Sequence, residues 1–570
     1  MRIWVTVLLV TCVGALFRFW QAGDSLWLDE LHTAWAISGG LAELPARAMQ
    51  GNCSPAYFLL PWLACQSLGY SAIAVRLVSL LAGVAMIPIL FAFVRRMTGS
   101  RAAGLLSAIL LALNTHALFF SLEARPYAVV QLVALMHVWL FFELIESPTR
   151  MRRVLHMVGG VLLFYLHYTA ALVLVAEAVY YFVWWAVFRR KPIYRPVLSA
   201  IDAVILVVCC LPMLPHVWEI ASRRNNWAFF VTPQPLLYVL GAWLYRLDVY
   251  VYAAVFLALA IAFVRRLTEL AAGGAAAKGR RPLANSSILP RGGSDAVAAG
   301  EGLEKRESAR DFPSPLVPRD PLGGRVKSAW LLCICWLFVP VILVWAATQF
   351  GWAPLLHRRY LVGASTAVFA LTGLACGICA TRTLRVGFAA VMIATVVCLD
   401  FLSFVGGPGT QVAIQGPFSQ RLTDGRFVRH SEEDWRSAIA YLNGLDESVH
   451  QLPLLVQPVL IEADSLTTNR SEMFREYCSF PVRTAAYPLA WQPSVIEPLP
   501  NSLSDGIDAE IVGRINEQGG ALLVVRGGEE QTRFISLQIQ KAMLETGISR
   551  FRVRGETFRN VAVVQINVNP

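Results

Sequence analysis

Residues 73–94 read IAVRLVSLLAGVAMIPILFAFV, and Arg95 and Arg96 follow at once. A helix of about 20 apolar residues crosses a hydrocarbon core about 30 Å thick, so this run is a membrane span. The arginine pair that closes it marks its cytoplasmic end, because loops on that side carry the excess of Lys and Arg. Working outward, similar runs occur near 2–20, 102–120, 127–146, 154–168, 169–188, 197–218, 248–264, 329–348, 360–380 and 384–404, which with the first makes eleven expected spans. The first of these is no signal peptide, since Arg18 interrupts its end and no A-x-A site follows. The piece 235–247 (PLLYVLGAWLYRL) is too short to span and reads as an interfacial helix.

The composition agrees. In 570 residues the charged fraction is 15%, against about 25% in soluble proteins, and hydrophobic residues make up 56%. The mean hydropathy is +0.54. Such a chain cannot cover itself with polar surface in water, and collagen-like, disulfide-scaffold and wholly disordered classes are excluded. The net charge of +11 is not a nucleic-acid signal, because of where it sits. Arg95, Arg96 and Arg101, then Arg150, Arg152 and Arg153, then Arg189, Arg190, Lys191 and Arg195, and last Arg382 and Arg385 all fall on one side if eleven spans alternate. The opposite loops hold Asp24, Asp29, Glu30, Glu43 and Glu123. The N-terminus is then cytoplasmic and the C-terminus outside. Most of the 11 cysteines lie in apolar runs, as small hydrophobes do, and no CxxC pair recurs at zinc spacing.

The expected fold is a polytopic α-helical membrane protein of about 11 transmembrane helices with a small extracytoplasmic α/β C-terminal domain. Residues 1–264 form the N-terminal membrane part, with the first outer loop at 21–72. Residues 265–328, rich in Gly, Ala, Pro, Ser and Arg, cannot bury a core and read as a disordered cytoplasmic linker. Residues 329–404 return to the membrane, and 405–570 form the outer domain. There a helix is expected at 431–444 with Ser431 as N-cap, strands at 452–460, 521–526 and 559–568, and a helix near 530–546.

Four polar segments sit at the outer ends of spans. The first, GDSLWLDELHTAW, places Asp29, His32 and Thr33 on one helical face and Leu28, Leu31 and Trp35 on another. That predicts an amphipathic helix along the membrane surface. Asp29 is either a base in a low-dielectric site or a solvated interfacial carboxylate. The second, SLEARPY, puts Glu123 and Arg125 where span three emerges; a guanidinium there suits a phosphate, or the two neutralise neighbours. The third is His167-Tyr168-Thr169, which orients a ligand or simply satisfies an interface. The fourth, His357-Arg358-Arg359-Tyr360, sets two arginines on the side poor in positive charge, for a bound lipid phosphate or for headgroup anchoring. Arg76, Arg223 and Arg224 raise the same question more weakly. No Walker A loop, dinucleotide GxGxxG or HExxH is present, so the energy of any reaction comes from an activated substrate.

SLWLDE, GNCSPAYFLL followed by LGYSAIAVRLVSLLAG, SLEARPYA and FYLHYTA occur in this order, with HRRY and EDWRSAIAYL further on. Together they resemble the membrane glycosyltransferases of the C superfamily, the group of protein O-mannosyltransferases, aminoarabinose transferases of lipid A and rhizobial core-sugar transferases. The match covers roughly residues 1–220 well and the rest loosely. The resemblance implies a donor sugar on a polyprenyl monophosphate and transfer with inversion to a lipid, glycan or protein hydroxyl on the outer face. By position in the motifs it implies Asp29 as base, with Glu30 the second acidic residue. Glu123, Arg125, Tyr127, His167, Tyr168, Arg358, Arg359 and Tyr360 fall near the donor. Cys53-Ser54 departs from the family, which commonly reads His-Pro there, although Pro55 and Tyr57 remain. No cofactor is expected. A divalent metal, which some relatives bind, stays open, for no ligand set stands out. The expected surroundings are membrane lipids of a bacterial inner membrane, with no nucleic acid. A flippase or transporter of lipid-linked sugars is the alternative, but repeated halves are lacking and the polar groups gather at span ends. A third reading is a sensor or assembly protein whose outer domain binds cell-wall material.

Overall fold

The computed structural model describes residues 2–188, 194–223, 231–236, 239, 324–379, 381–397, 433–501 and 507–569. Among these, seven helices are long and apolar enough to cross a membrane: Ile3–Trp20, Ala72–Thr98, Tyr127–Glu146, Tyr168–Ala186, Pro196–Ser222, Arg325–Gln349 and Arg358–Ile378. A further pair, Arg101–Leu113 and Thr115–Leu122, passes the same test as one span bent by 58°. The chain is a polytopic helical, integral membrane protein. Of the remaining expected spans, 154–168 lies in a 17-residue helix, Arg150–Leu166. The 384–404 run begins as the helix Arg382–Val396. The span at 248–264, most of 235–247 and nearly all of the linker 265–328 lie outside the described residues.

The bend and Arg18 explain each other. Asn114 is extended and caps the second half, accepting the Ala117 N–H at 2.9 Å. The break orphans carbonyls at the end of the first half. Arg18, fully buried, donates to Leu111 O and Ala112 O, both at 3.3 Å, and to Ser121 Oγ at 3.1 Å. Backbone acceptors left bare in hydrocarbon are thus met by the one charge in the first span.

Burial separates the helices by role. The helix within Arg358–Ile378 is 94% buried and stands at the centre, whereas Pro196–Ser222 is only 11% buried and faces lipid. The central helix is rich in small residues, and a Cβ at Gly373 would collide with Ser107 and Val94. Close approach of backbones is what packs helices when lipid tails are as apolar as leucine. At one end of the bundle Glu143 pairs with Arg96 at 2.6 Å, Arg152 at 3.4 Å and Arg325 at 3.6 Å. The helix carrying Glu143 starts at Tyr127, which sets Tyr127 about 24 Å along the axis from Glu143, most of one hydrocarbon thickness.

Over the Tyr127 end lies an α/β unit. Strands β1 (Leu454–Gln457), β2 (Ile496–Pro498), β3 (Gly520–Arg526), β4 (Phe551–Phe558) and β5 (Val561–Val568) form one sheet in the order β2-β1-β3-β5-β4. The first three are mutually parallel, and β5 is antiparallel to both β3 and β4. Alternation assigns the two faces. Leu454, Val456, Leu522, Val524 and Val563 join the core that continues into the membrane helices. Leu455, Leu523, Val525 and Val564 pack instead against the helices Ala509–Glu517 and Glu529–Glu545. The strands expected at 452–460, 521–526 and 559–568 are β1, β3 and β5, and the helix near 530–546 is Glu529–Glu545. Strands β2 and β4 escaped the sequence reading: β2 is three residues long, and β4 is charged and largely exposed.

Two local expectations are corrected. The helix expected at 431–444 runs Trp435–Asn443, and its cap is Asp434, which accepts from Ser437 N at 3.2 Å and Ser437 Oγ at 2.9 Å; Ser431 lies outside the described residues. The helix carrying Asp29, Leu28–Ser38, does not lie open on the membrane surface. Nine of its residues are buried. Its far side is covered by Tyr477 and Phe480 of the α/β unit, whose rings stand 6.0 and 6.2 Å from Trp35. A second apolar layer, not lipid, satisfies its hydrophobic side.

Candidate active site

The first turn of a helix exposes N–H groups that need acceptors and favours negative charge. At Leu28–Ser38 both needs are met by carboxylates. Glu30 reaches back to Trp27 N at 3.4 Å, and Glu433 of the α/β unit accepts from Leu28 N at 2.9 Å. The other oxygen of Glu433 accepts from Arg526 Nε at 2.8 Å, so one buried acid ties the helix to the end of β3.

Consecutive helical residues point about 100° apart, and that angle separates Asp29 from Glu30. Glu30 turns into the bundle, fully buried, and pairs with Arg76 through Nε at 2.7 Å and Nη2 at 2.5 Å. It also accepts from Ala124 N at 2.9 Å, while Arg76 donates onward to Ala22 O at 3.0 Å and Asp24 O at 2.7 Å. Asp29 turns the other way, into a cavity of about 710 Å³. Its Oδ2 stands 3.9 Å from Arg125 Nη2 and 3.8 Å from Arg359 Nη1. These contacts are ionic but too long for hydrogen bonds, and among the described residues none donates a hydrogen bond to this carboxylate. Its acceptor capacity is therefore left for a ligand. Burial raises the Asp29 carboxyl, but Arg125, Arg359 and further cations lower it more, and it sits below the usual carboxylate range.

His32 orients Arg125. Its Nε2 lies 3.2 Å from Arg47 O, which only accepts, so the proton belongs on Nε2. Nδ1 then accepts from Arg125 Nη1 at 3.3 Å. Burial, then the charge of Arg125, pushes the imidazole down to about 3, which keeps it neutral. The ring is boxed by Phe58, Tyr477 and Phe480 at 5.8 to 5.9 Å. Gly51 leaves it room: a Cβ there would run into the imidazole.

Seven of the ten expected site residues line this one cavity: Asp29, Arg125, Tyr127, His167, Tyr168, Arg359 and Tyr360. His167 Nδ1 donates to Thr169 Oγ1 at 2.8 Å, whose hydroxyl donates to Tyr360 O at 2.9 Å, and its ring lies between Tyr127 and Tyr360 at 6.1 and 6.0 Å. Tyr168 bonds His216 Nδ1 at 2.5 Å. The other three lie off the cavity. Glu30 is held by Arg76. Glu123 is buried, and burial followed by the charges of Asp29 and Glu30 raises its carboxyl well above the usual range. Arg358 is exposed, because neighbours in the 3₁₀ turn Arg358–Leu361 diverge by about 120° and Arg359 takes the inward direction. Arg223 donates to Met49 O at 2.9 Å, and Arg224 is outside the described residues.

Sequence reasoning missed the cavity's second wall. Val459, Leu460, Glu462, Tyr477, Phe480 and Arg526 come from the α/β unit. Leu460 and Val459 follow β1 and Arg526 ends β3, so the cavity lies off the carboxyl ends of adjacent parallel strands, where α/β sheets commonly bind ligands. Away from Asp29 the lining turns apolar, with Phe164, Leu172, Val175, Val217 and Ile220, a slot suited to an aliphatic chain. Three guanidiniums, of Arg125, Arg359 and Arg526, stand at its polar end.

One group among the described residues has three candidate metal ligands close together: His137, His156 and Glu177, inside the bundle and away from this cavity. Both Nε2 atoms approach Glu177 Oε2, at 3.2 and 2.9 Å. The two rings are stacked, with centroids 4.3 Å apart and planes within 18°. The arrangement fits two imidazoles donating to one carboxylate oxygen.

With this geometry in place, the chain can be compared with known proteins. Residues 52–216 match the family described as dolichyl-phosphate-mannose-protein mannosyltransferase. The match falls on the stretch holding NCSPAYFLL, SLEARPYA and FYLHYTA, in line with the resemblance to membrane protein mannosyltransferases over that part of the chain. No curated protein matches the chain in sequence. Among solved structures, ArnT from Cupriavidus metallidurans bound to undecaprenyl phosphate is similar at 12% identity over 98% of this chain and 97% of that one, with a TM-score of 0.49. The oligosaccharyltransferase AglB from Archaeoglobus fulgidus, in complex with an inhibitory peptide and a dolichol-phosphate, is similar at 10% identity over 92% of this chain and 69% of that one, with a TM-score of 0.41.

Proposed function

We propose that this protein is a glycosyltransferase that moves a sugar from a polyprenyl-phosphate-linked donor to a hydroxyl of a lipid, glycan or protein acceptor. The observation that carries the reading is Asp29, a half-buried carboxylate open to the cavity and held between Arg125 and Arg359. The apolar slot beside it takes the prenyl chain, and the guanidiniums take the single phosphate. The acceptor oxygen attacks the anomeric carbon as the bond from that carbon to the phosphate oxygen breaks. The acceptor proton passes to Asp29, and polyprenyl phosphate leaves with its charge stabilised by the arginines. Attack opposite the leaving group inverts the anomeric carbon. His32 and Glu30 act at one remove, His32 by aiming Arg125 and Glu30 by fixing the helix.

The same reading gives the orientation. The arginine cluster at Glu143 faces the cytoplasm of a bacterial inner membrane, and the α/β unit with the cavity lies outside. The test is transfer of labelled sugar from total polyprenyl-phosphate-linked donors to endogenous acceptors, in membranes carrying wild type or Asp29→Asn at matched expression. Loss of transfer in the variant is expected. Equal transfer in both removes Asp29 from the mechanism, and movement of donor across the bilayer without transfer would favour a flippase.

A further inference from the structure

The α/β unit brings a second carboxylate to the cavity that the mechanism above does not use. Glu462 opens the turn that follows β1 and lines the wall formed by that unit. It accepts from Asn52 Nδ2 of the membrane part at 3.0 Å, and Tyr477 lines the same wall. Two backbone irregularities set this contact. Asn52 has φ of 56° and Val459 has φ of 53°, two of the four non-glycine residues with positive φ among those described, and both line the cavity. Asparagine visits that region readily, but a β-branched valine there is strained, and such strain gathers at ligand sites. Asn52 Oδ1 is sealed from solvent and has no donor among the described residues.

The chemistry of this wall differs from that around Asp29. Anions belong with the arginines, whereas the hydrogen-bond partner of Glu462 is a neutral amide and Arg223 acts on it only through its charge. Burial raises its carboxyl above the usual range. Tyr477 and Phe480, buried against His32 and Trp35, hold this wall in place. Acceptor oxygens of Asn52 and Glu462 grouped on one wall suit a sugar, which offers hydroxyls along its edge.

We propose that Asn52, Glu462 and Tyr477 form a hydroxyl-recognition subsite, through which the α/β unit binds a sugar ring and sets which sugar the enzyme handles. The inference rests on the glycosyltransferase reading. The hydroxyls come from the donor sugar or from a glycan acceptor, and the experiment separates the two. Full-length wild type, Glu462→Gln and Asn52→Gly are compared in nanodiscs; glycine keeps the positive φ while removing the amide. Binding is measured for undecaprenyl phosphate, undecaprenyl-phosphate glucose and undecaprenyl-phosphate mannose, and labelled transfer is measured in membranes.

A hydrogen bond to a charged or nearly charged group is worth about 10- to 100-fold. Both variants are therefore expected to lose transfer by that factor while binding bare undecaprenyl phosphate as wild type does. If affinity for the sugar-bearing lipids falls as well, the subsite reads the donor; if it holds, the subsite reads the acceptor. Transfer within about twofold of wild type in both variants overturns the subsite and leaves the enzyme reading intact. Loss of undecaprenyl phosphate binding in both assigns these residues to the scaffold and overturns the subsite too. Absence of transfer by wild type overturns both readings.

Discussion

Replacing Glu30 tests whether its burial has been read correctly. Glu30→Ala leaves the Arg76 guanidinium, fully buried, facing the carbonyls of Ala22, Asp24 and Ser25 with no anion. It also strips the Ala124 N–H of its acceptor. Breaking a buried ion pair costs about 3–5 kcal/mol, and an orphaned buried N–H about 1–3 kcal/mol more. Against a total stability of about 5–15 kcal/mol, that is enough to unfold the outer loop at modest temperature. Glu30→Gln keeps an acceptor for Ala124 N–H but not the charge, so it should cost less, about 2–4 kcal/mol. Replacing both Glu30 and Arg76 with methionine removes the uncompensated charge and should recover most of the loss. The assay is unfolding of purified full-length protein in mixed micelles, run as a double-mutant cycle, with transfer measured alongside. Strong coupling between the two sites is expected, with transfer falling only as the folded fraction falls. If Glu30→Gln unfolds like wild type yet abolishes transfer, Glu30 acts on substrate and the positional argument is wrong.

Asp29→Asn should behave in the opposite way. Unfolding should stay within about 1 kcal/mol of wild type while transfer drops about 10²- to 10⁴-fold, and bare undecaprenyl phosphate should bind no more weakly, since a negative charge beside Arg125 and Arg359 is gone. The pH profile follows from the same geometry. A lowered carboxyl stays ionised until pH approaches its folded value, so activity is present above that value and lost as pH falls through it, below the usual carboxylate range. Arg359→Gln removes part of the lowering and should move this acid limb upward. With His32 near 3 and His167 and His357 near 4, no histidine limb is expected between about pH 5 and 8. Glu433→Ala cuts the tie between Leu28 N and Arg526, and both stability and the maximal rate should fall, the latter by about tenfold. Gly51→Ala should displace the His32 ring and with it Arg125, costing about 1–3 kcal/mol and weakening undecaprenyl phosphate binding.

The sequence was sufficient where one residue's surroundings could be read from its neighbours along the chain. Hydrocarbon accepts only long apolar helices, so 73–94 or 127–146 can be recognised alone, and a periodic segment such as Glu529–Glu545 carries its own signal. The order of motifs likewise singled out Asp29, Arg125, His167 and Arg359 as residues of one site, and they line one cavity. Pattern failed where the partner is distant. Asp29 and Glu30 look alike in sequence, and only the packing of the loop helix sends one to the cavity and the other to Arg76. Arg358 and Arg359 divide in the same way. The second wall, from Val459 to Arg526, sits more than 400 residues from Asp29, and no spacing in the chain joins Glu462 to Asn52 or Glu433 to Leu28. Periodicity reports which solvent a segment faces, lipid, water or core. Which side chain meets which across a cavity depends on how helices and sheet are docked, and that is settled by shape and charge in three dimensions.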